Sequence, residues 1–167
     1  MQRLARWCRH GFFGRWHRDH SFPADTLAAI TAAIRQCESR HPGEIRFAVE
    51  AALPLSAIWR GQTPRERAIE VFAREHVWDT AHNNGVLIYV LLAEHDVEII
   101  ADRGVGNARV PAGEWEHCCR IMETHFRAGA FRAGAIAGVE AVADVLGRFP
   151  PTLPDAGNEL PDQPILL

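Results

Sequence analysis

Oxygen-bearing side chains flank two short apolar runs near the middle of the chain. Asn83 and Asn84 precede the run at 86–92, and Asp102 and Arg103 follow the run at 97–101. Carboxylate and amide oxygens are the ligands that calcium and magnesium prefer, whereas a guanidinium group binds phosphates and carboxylates. The residue types therefore predict a site for Ca²⁺ or Mg²⁺ at Asn83, Asn84 and Asp102, and an anion site at Arg103.

The predicted elements bring these residues together. The two runs are expected to form an antiparallel hairpin, so the start of one strand lies beside the end of the other. Glu44 begins an earlier strand that should run parallel to the first of them and start at the same end of the sheet. Glu114 opens the helix that follows and is a fourth candidate metal ligand. We call this end of the sheet, with Asn83, Asn84, Asp102 and Arg103, the pole.

The same residues also have ordinary structural explanations. Asparagine and glycine are common turn residues before a strand. Glu114 near a helix N-terminus stabilises the helix dipole without any ligand. Asp102 and Arg103 can form a solvated pair. The sequence leaves a ligand site and plain structure at the pole as open alternatives.

A catalytic nucleophile is not apparent near the pole. The serines are Ser21, Ser39 and Ser56, and none stands in a GxSxG motif. His82 directly precedes Asn83, and its imidazole would activate a water if it turned toward Asp102; otherwise it is an exposed loop residue. The sequence favours a non-catalytic protein and leaves enzymatic activity open.

Composition bounds the function further. The chain has 167 residues, of which 47% are hydrophobic, enough for one globular core. Its net charge of -3 predicts no nucleic-acid partner. All 18 basic residues are arginine, which excludes Schiff-base chemistry and a Walker A lysine.

Hydrophobic periodicity predicts the element order α-α-β-α-β-β-α-α. The strand-helix-strand unit should cross over right-handed, which makes its two strands parallel, and the hairpin adds an antiparallel third strand. Thr63 and Glu66 form a capping box that marks a helix start. We therefore expect an α/β fold, a three-layer α/β/α sandwich with a small mixed β-sheet.

Three regions follow from these patterns. Residues 1–22 form a basic amphipathic helix, 23–149 the globular domain, and 150–167 a flexible, proline-rich tail. The first helix resembles an interfacial membrane anchor. The alternative is that its apolar stripe packs on a protein surface. The residues expected to contact a membrane are Arg3, Trp7, Phe12 and Trp16.

Targeting signals are not evident in the sequence. No secretory signal opens the chain, and no run approaches the roughly 20 apolar residues of a membrane span. The four cysteines form no CxxC pair, which favours reduced thiols. We expect a cytoplasmic protein that is peripheral at the inner membrane.

Several motifs resemble those of the TPM domain family, found in thylakoid lumen phosphatase-like proteins and bacterial envelope proteins. They are Asn83-Asn84-Gly85, the Arg103-Gly104 turn, and the pattern Phe126-x4-Phe131-x2-Gly134-x3-Gly138. The resemblance covers roughly residues 24–149 and implies an α/β/α sandwich. It also implies acid phosphatase activity, calcium binding or an accessory role in membrane complexes. This chain would be a short, unanchored form, and residues 106–109 are neutral to basic where relatives carry acidic loops.

Three hypotheses about function result. The first is a non-catalytic TPM-like accessory module that binds a protein partner at the inner membrane face. The second is a divalent-metal-assisted phosphatase that uses the pole. The third is a homo-oligomeric scaffold. A metal titration distinguishes the second hypothesis from the other two.

Overall fold

The computed structural model describes Arg6, His10 and residues 14–106, 108–150 and 157–167. The helices are α1 (Arg15–Ser21), α2 (Ala24–Glu38), α3 (Leu55–Trp59), α4 (Pro64–Arg74), α5 (Ala112–Arg127) and α6 (Phe131–Arg148). The strands are β1 (Glu44–Glu50), β2 (Gly85–Leu91), β3 (Asp96–Ala101) and β4 (Ile165–Leu166). A short 3₁₀ turn, Leu92–Glu94, connects β2 to β3.

The strands form one mixed sheet in the order β3-β2-β1-β4. Strand β1 runs parallel to β2 with Glu44 opposite Gly85, and β2 runs antiparallel to β3. Every residue of β2 is buried, whereas buried and partly buried residues mix along β3. The central apolar strand and its less buried partner are thus confirmed.

Helices cover both faces of the sheet. On one face, Ile88 and Phe47 pack with side chains of α2, α5 and α6. On the other, Leu87 and Tyr89 pack with side chains of α3 and α4. This arrangement confirms the expected three-layer α/β/α sandwich.

Local signals in the sequence explain how two of the helices are placed. The Thr63 side chain accepts a hydrogen bond from the Glu66 amide, and the Glu66 carboxylate accepts one from the Thr63 amide, so the predicted capping box begins α4. Gly138 of α6 lies against the side chain of Met122 in α5, so closely that a Cβ there would overlap it. The two helices therefore approach at a position that glycine leaves open.

The C-terminal segment differs from the flexible tail that the sequence predicts. Ile165 and Leu166 form β4, which pairs in parallel with β1. The Arg46 guanidinium donates to main-chain carbonyls of this segment, and the Glu44 carboxylate accepts from the Leu160 amide at 3.0 Å. Charged side chains of β1 thus hold residues 157–167 along what would otherwise be an open sheet edge. The proline content of the segment alone does not predict these contacts.

One helix was not predicted, and one predicted helix is described only in part. Helix α3 is absent from the expected order because its five residues are too few to establish a period. Half of the residues in the predicted N-terminal helix, 1–22, lie outside the described residues, and within the other half Arg15–Ser21 form α1. None of the helices in the described ranges is both long and apolar enough to cross a membrane.

Candidate functional site

Asn83 and Arg103 meet at the pole. Asn83 has a positive φ of 52°, and its side-chain Oδ1 accepts a hydrogen bond from Arg103 Nε at 2.9 Å. Its carbonyl accepts from the Gly104 amide at 2.8 Å. Any Cβ at position 104 would collide with the carbonyl oxygens of His82 and Asn83, so glycine is required there. The turn therefore fixes Arg103 beside the start of β2.

Asp102 lies in the same turn but uses only one carboxylate oxygen. Its Oδ1 accepts from the Arg103 amide at 2.7 Å, and its own amide donates to the Gly85 carbonyl at 2.9 Å. Its Oδ2 is buried without a hydrogen-bond partner among the described residues. That oxygen remains available to a proton, a water or a cation.

Asn84 is directed toward the start of β1. Its side-chain amide donates to the Pro42 carbonyl, and its own carbonyl accepts from the Glu44 amide at 3.2 Å. Asn84 therefore joins the β1 entry to β2, while its Oδ1 is buried with no partner within the described ranges. His82 Nδ1 is a third such atom at the pole.

Glu114, the fourth predicted metal ligand, is paired with an arginine. Arg148 contacts its two carboxylate oxygens at 2.6 and 3.2 Å, and this hydrogen bonding lowers the Glu114 pKa. The pair joins the start of α5 to the end of α6. Within the described residues, no three histidine, cysteine, aspartate or glutamate side chains are grouped to hold a metal ion. A cation at the pole would therefore depend on amide and carbonyl oxygens as well as Asp102.

A groove of about 750 Å³ extends from Arg103 along the outer edge of β3, between α4 and α5. We call it the β3 groove. It is lined by Arg65, Val97, Glu98, Ile99, Ala101, Arg103, Gly106, Ala112, Trp115, Glu116, Cys119, Arg120 and Glu123.

Most charges in the β3 groove are paired with each other or with nearby groups. Arg65 contacts Glu98 at 3.0 Å, Arg120 lies 3.7 Å from Glu116, and Glu123 accepts from Arg127 at 3.2 Å. Arg103 is the exception among the described groove residues, since its guanidinium contacts the neutral amide of Asn83 and no carboxylate. Its positive charge is therefore available to an anionic group.

The opposite end of the β3 groove is acidic. Glu98 and Glu123 line this end, next to Asp96 at the start of β3, and burial, with these two carboxylates nearby, raises the pKa of Asp96 to about 6. Burial, reinforced by Glu98, also raises the pKa of the Cys119 thiol to about 12. The groove thus carries a charge gradient from acidic at the start of β3 to basic at the pole, and its cysteine stays protonated near neutral pH.

Trp115 lines the β3 groove and has a buried indole nitrogen without a partner among the described residues. Its side chain packs into the core and the residue is 6% exposed, but its indole Nε1 has no hydrogen-bond partner in the described part of the chain. A buried donor without a partner costs about 1–3 kcal/mol, which an acceptor on a ligand would recover. Hydrophobic periodicity predicts only that Trp115 lies on the apolar face of its helix, and it carries no information on whether the indole nitrogen has a partner.

Of the predicted membrane-contact residues, Trp16 alone is described. It is 71% exposed, and its ring stacks on His20. Arg3, Trp7 and Phe12 lie outside the described residues.

The chain is similar to known proteins in sequence and in fold. The family model for the TPM domain matches residues 18–145. The BA42 protein of the psychrophilic bacterium Bizionia argentinensis has a similar solution structure, with a TM-score of 0.74 and 29% identity over 86% of this chain and 94% of that one. The N-terminal domain of a P. gingivalis protein shares the fold, with a TM-score of 0.59 and 22% identity over 75% of this chain and 77% of that one. No curated protein matches.

The matched residues include all of α2 to α5, strands β1 to β3, the pole and the β3 groove. This confirms the family that the pole motifs and the glycine pattern of α6 indicated. The chain belongs to the TPM domain family.

Proposed function

We propose that this TPM domain is a non-catalytic accessory module that binds an anionic ligand in the β3 groove. The observation that supports the proposal is the environment of the Arg103 guanidinium group. Its guanidinium is oriented by Asn83, lies at one end of the groove, and has no carboxylate partner among the described residues. An arginine held in this way is suited to a carboxylate or a phosphate of the ligand.

The chemistry of the groove supports binding better than hydrolysis. Phosphoester hydrolysis needs a nucleophile or an activated water. Neither serine nor histidine is among the described residues that line the groove, and the Cys119 thiol is protonated near neutral pH. We therefore expect generic phosphoesters to be turned over slowly or not at all.

Binding of inorganic phosphate to the isotope-labelled protein, followed by NMR, tests the site. We expect a saturable shift of the Arg103 Nε resonance and of the Trp115 indole resonance. Arg103→Gln should abolish these shifts, whereas the matched control Arg109→Gln should retain them. Arg109 lies in the same loop but contacts the Gly104 and Pro150 carbonyls outside the groove. Equal loss in both variants would refute a specific role for Arg103.

A second candidate function, divalent-cation binding that assists hydrolysis, is favoured by the orphaned atoms at the pole. His82 Nδ1, Asn84 Oδ1 and Asp102 Oδ2 are buried and lack partners within the described ranges. A site with one carboxylate should bind Ca²⁺ weakly, with Kd on the order of 10⁻⁴–10⁻³ M.

Calorimetry with Ca²⁺ and Mg²⁺, paired with a phosphatase assay, decides between the two candidates. If the second is right, Asp102→Asn weakens the metal, and both Asp102→Ala and His82→Ala abolish turnover in folded protein. Absence of turnover with either metal favours the binding module.

A further inference from the structure

The outer edge of β3 presents main-chain groups to the β3 groove. The Asp102 amide donates to the Gly85 carbonyl, which fixes the pairing with β2. Because hydrogen-bonded positions alternate along an antiparallel pair, the amides and carbonyls of Val97, Ile99 and Ala101 point away from β2. These three residues line the groove. The described sheet has no strand beyond β3.

One of these outward groups is already protected. Arg65 of α4 donates to the Ile99 carbonyl at 2.7 Å and also contacts Glu98. Charged side chains on an edge strand are a common means of preventing unwanted strand pairing. Arg65 is about half exposed, with 51% of its side chain accessible, so an incoming main chain can displace it.

We propose that the β3 groove binds an extended segment of a partner protein, which adds to the sheet as a strand beside β3. This rests on the proposed role of the groove as the ligand site and names its partner class. The segment carries an acidic residue at the Arg103 end and a basic residue at the end near Asp96 and Glu123. A carbonyl of the segment accepts a hydrogen bond from the indole of Trp115.

The charge gradient of the groove selects this partner chemistry. Arg103 has no carboxylate partner among the described residues, and at the other end burial, with Glu98 and Glu123 nearby, raises the pKa of Asp96. A single extended segment fits the space between α4 and α5 more readily than a second copy, whose own β3 edge lies between the same two helices. An antiparallel second copy would also set Asp96 near Arg103, so concentration-dependent self-association of the protein without peptide would overturn a separate partner segment.

The length of the edge sets the length of the segment. Strand β3 has six residues, which span about 20 Å in extended conformation. A six-residue segment with alternating apolar side chains matches this length. Main-chain hydrogen bonds supply affinity, and the terminal charges supply specificity.

Titration of isotope-labelled full-length protein with the hexapeptide acetyl-Glu-Val-Thr-Val-Thr-Arg-amide tests the proposal. Its direction suits antiparallel addition, with the glutamate near Arg103. We expect saturable shifts in the amides of Val97, Ile99 and Ala101 and in the indole of Trp115. Arg103→Gln should weaken binding about tenfold, the loss of one charge-assisted interaction. Arg109→Gln should leave the affinity for the peptide unchanged. Trp115→Phe should weaken the affinity, while peptide binding still shifts the amides of Val97, Ile99 and Ala101.

A peptide with N-methyl groups on the alternate residues whose amides would face β3 separates strand addition from anion binding. It retains both charges but cannot pair along β3, so it should not bind. Equal affinity for the methylated peptide would overturn strand addition and leave anion binding at Arg103 intact. Absence of saturable binding by the hexapeptide, with phosphate still bound at Arg103, would likewise overturn strand addition alone. Loss of both phosphate and peptide binding would refute the proposed function itself.

Discussion

A charged network lies buried beneath α4. Arg67 donates to both carboxylate oxygens of Glu50, at 2.9 and 3.0 Å, and the Tyr89 hydroxyl donates to the same carboxylate at 2.6 Å. Glu50 is 4% exposed. A carboxylate so far from water depends on these two partners, since an uncompensated buried charge is strongly destabilising.

Removal of Arg67 should destabilise the protein more than removal of the Tyr89 hydroxyl. We expect Arg67→Leu to lower the free energy of unfolding by about 3–5 kcal/mol, because it leaves the Glu50 charge unpaired. Tyr89→Phe removes one hydrogen bond to a charged group and should cost about 1.5–3 kcal/mol. Urea unfolding measures both. The exposed Arg60→Leu is the control, and an Arg67→Leu protein as stable as this control would contradict the dependence.

Glu38 should make stability depend on pH. Its Oε1 accepts from the Ile45 amide at 2.8 Å, and burial, with Glu44 and Asp162 nearby, raises its pKa to about 8. The folded protein therefore holds this proton more tightly than the unfolded chain, whose glutamate titrates near 4.5. The free energy of unfolding should fall as pH rises from about 4.5 to about 8 and lose this dependence above that range.

Glu38→Gln should remove this pH dependence, because the amide stays neutral throughout and can still accept from Ile45. Urea unfolding at several pH values across the interval measures the slope. Glu116→Gln, at an exposed position, should keep the slope of the original protein. An unchanged slope in Glu38→Gln would assign the effect to another group.

Two glycines of α6 lie in different surroundings, and only Gly138 lies at the contact with α5. A Cβ at Gly138 would overlap Met122, whereas Gly147 has open space around it. Gly138→Ala should destabilise the protein by about 1–3 kcal/mol through overpacking. Gly147→Ala should stabilise the protein by about 0.5–1 kcal/mol, because alanine loses less conformational entropy than glycine when the helix forms. Thermal unfolding checks both, and similar melting temperatures for the two variants would refute the close approach.

Elements with strong local signals were the ones that sequence could predict. The apolar run of β2, the capping box at Thr63 and the glycine spacing of α6 each report on their own surroundings. Helix α3 has five residues and β4 has two, so neither establishes a period. The position of β4 depends on contacts between distant residues, such as Arg46 with Pro161 and Glu44 with Leu160. The spacing of residues along the sequence does not predict such contacts.

The pole was predictable in part for the same reason. Hairpin geometry predicts that Asn83 lies near Arg103, since strand ends that pair must be neighbours. It does not predict that Asn84 turns to Pro42 or that Glu114 pairs with Arg148. Such choices depend on which partner is nearest in three dimensions. The metal site at the pole stays a prediction.

At the scale of the molecule, the two edges of the sheet differ. The chain's own C-terminal segment covers β1, whereas no strand of the described part of the chain pairs with the outer edge of β3, and Arg65 donates to it. Deletion of residues 157–167 should therefore uncover a second edge and expose the core around Leu160, which is 7% exposed. We expect a loss of at least about 2 kcal/mol from the buried leucine and concentration-dependent association through the bare edge.

Light scattering and thermal unfolding of the truncated protein check this expectation. Leu160→Ala in the full-length chain is the matched control, because it loses the apolar side chain and keeps β4. It should be less stable without any change in association state. Association in Leu160→Ala as well would attribute the effect to general destabilisation.

Tyr89 also gives the protein an internal optical reporter. It is the single tyrosine of the chain and is fully buried, and burial together with the Glu50 charge raises its pKa well above the ordinary value. The phenol therefore cannot ionise while the sheet is intact, but it ionises readily once exposed to alkaline water. Near-ultraviolet absorption by tyrosinate should appear only as the molecules unfold. Opening of this core can thus be timed after a pH jump without any attached dye.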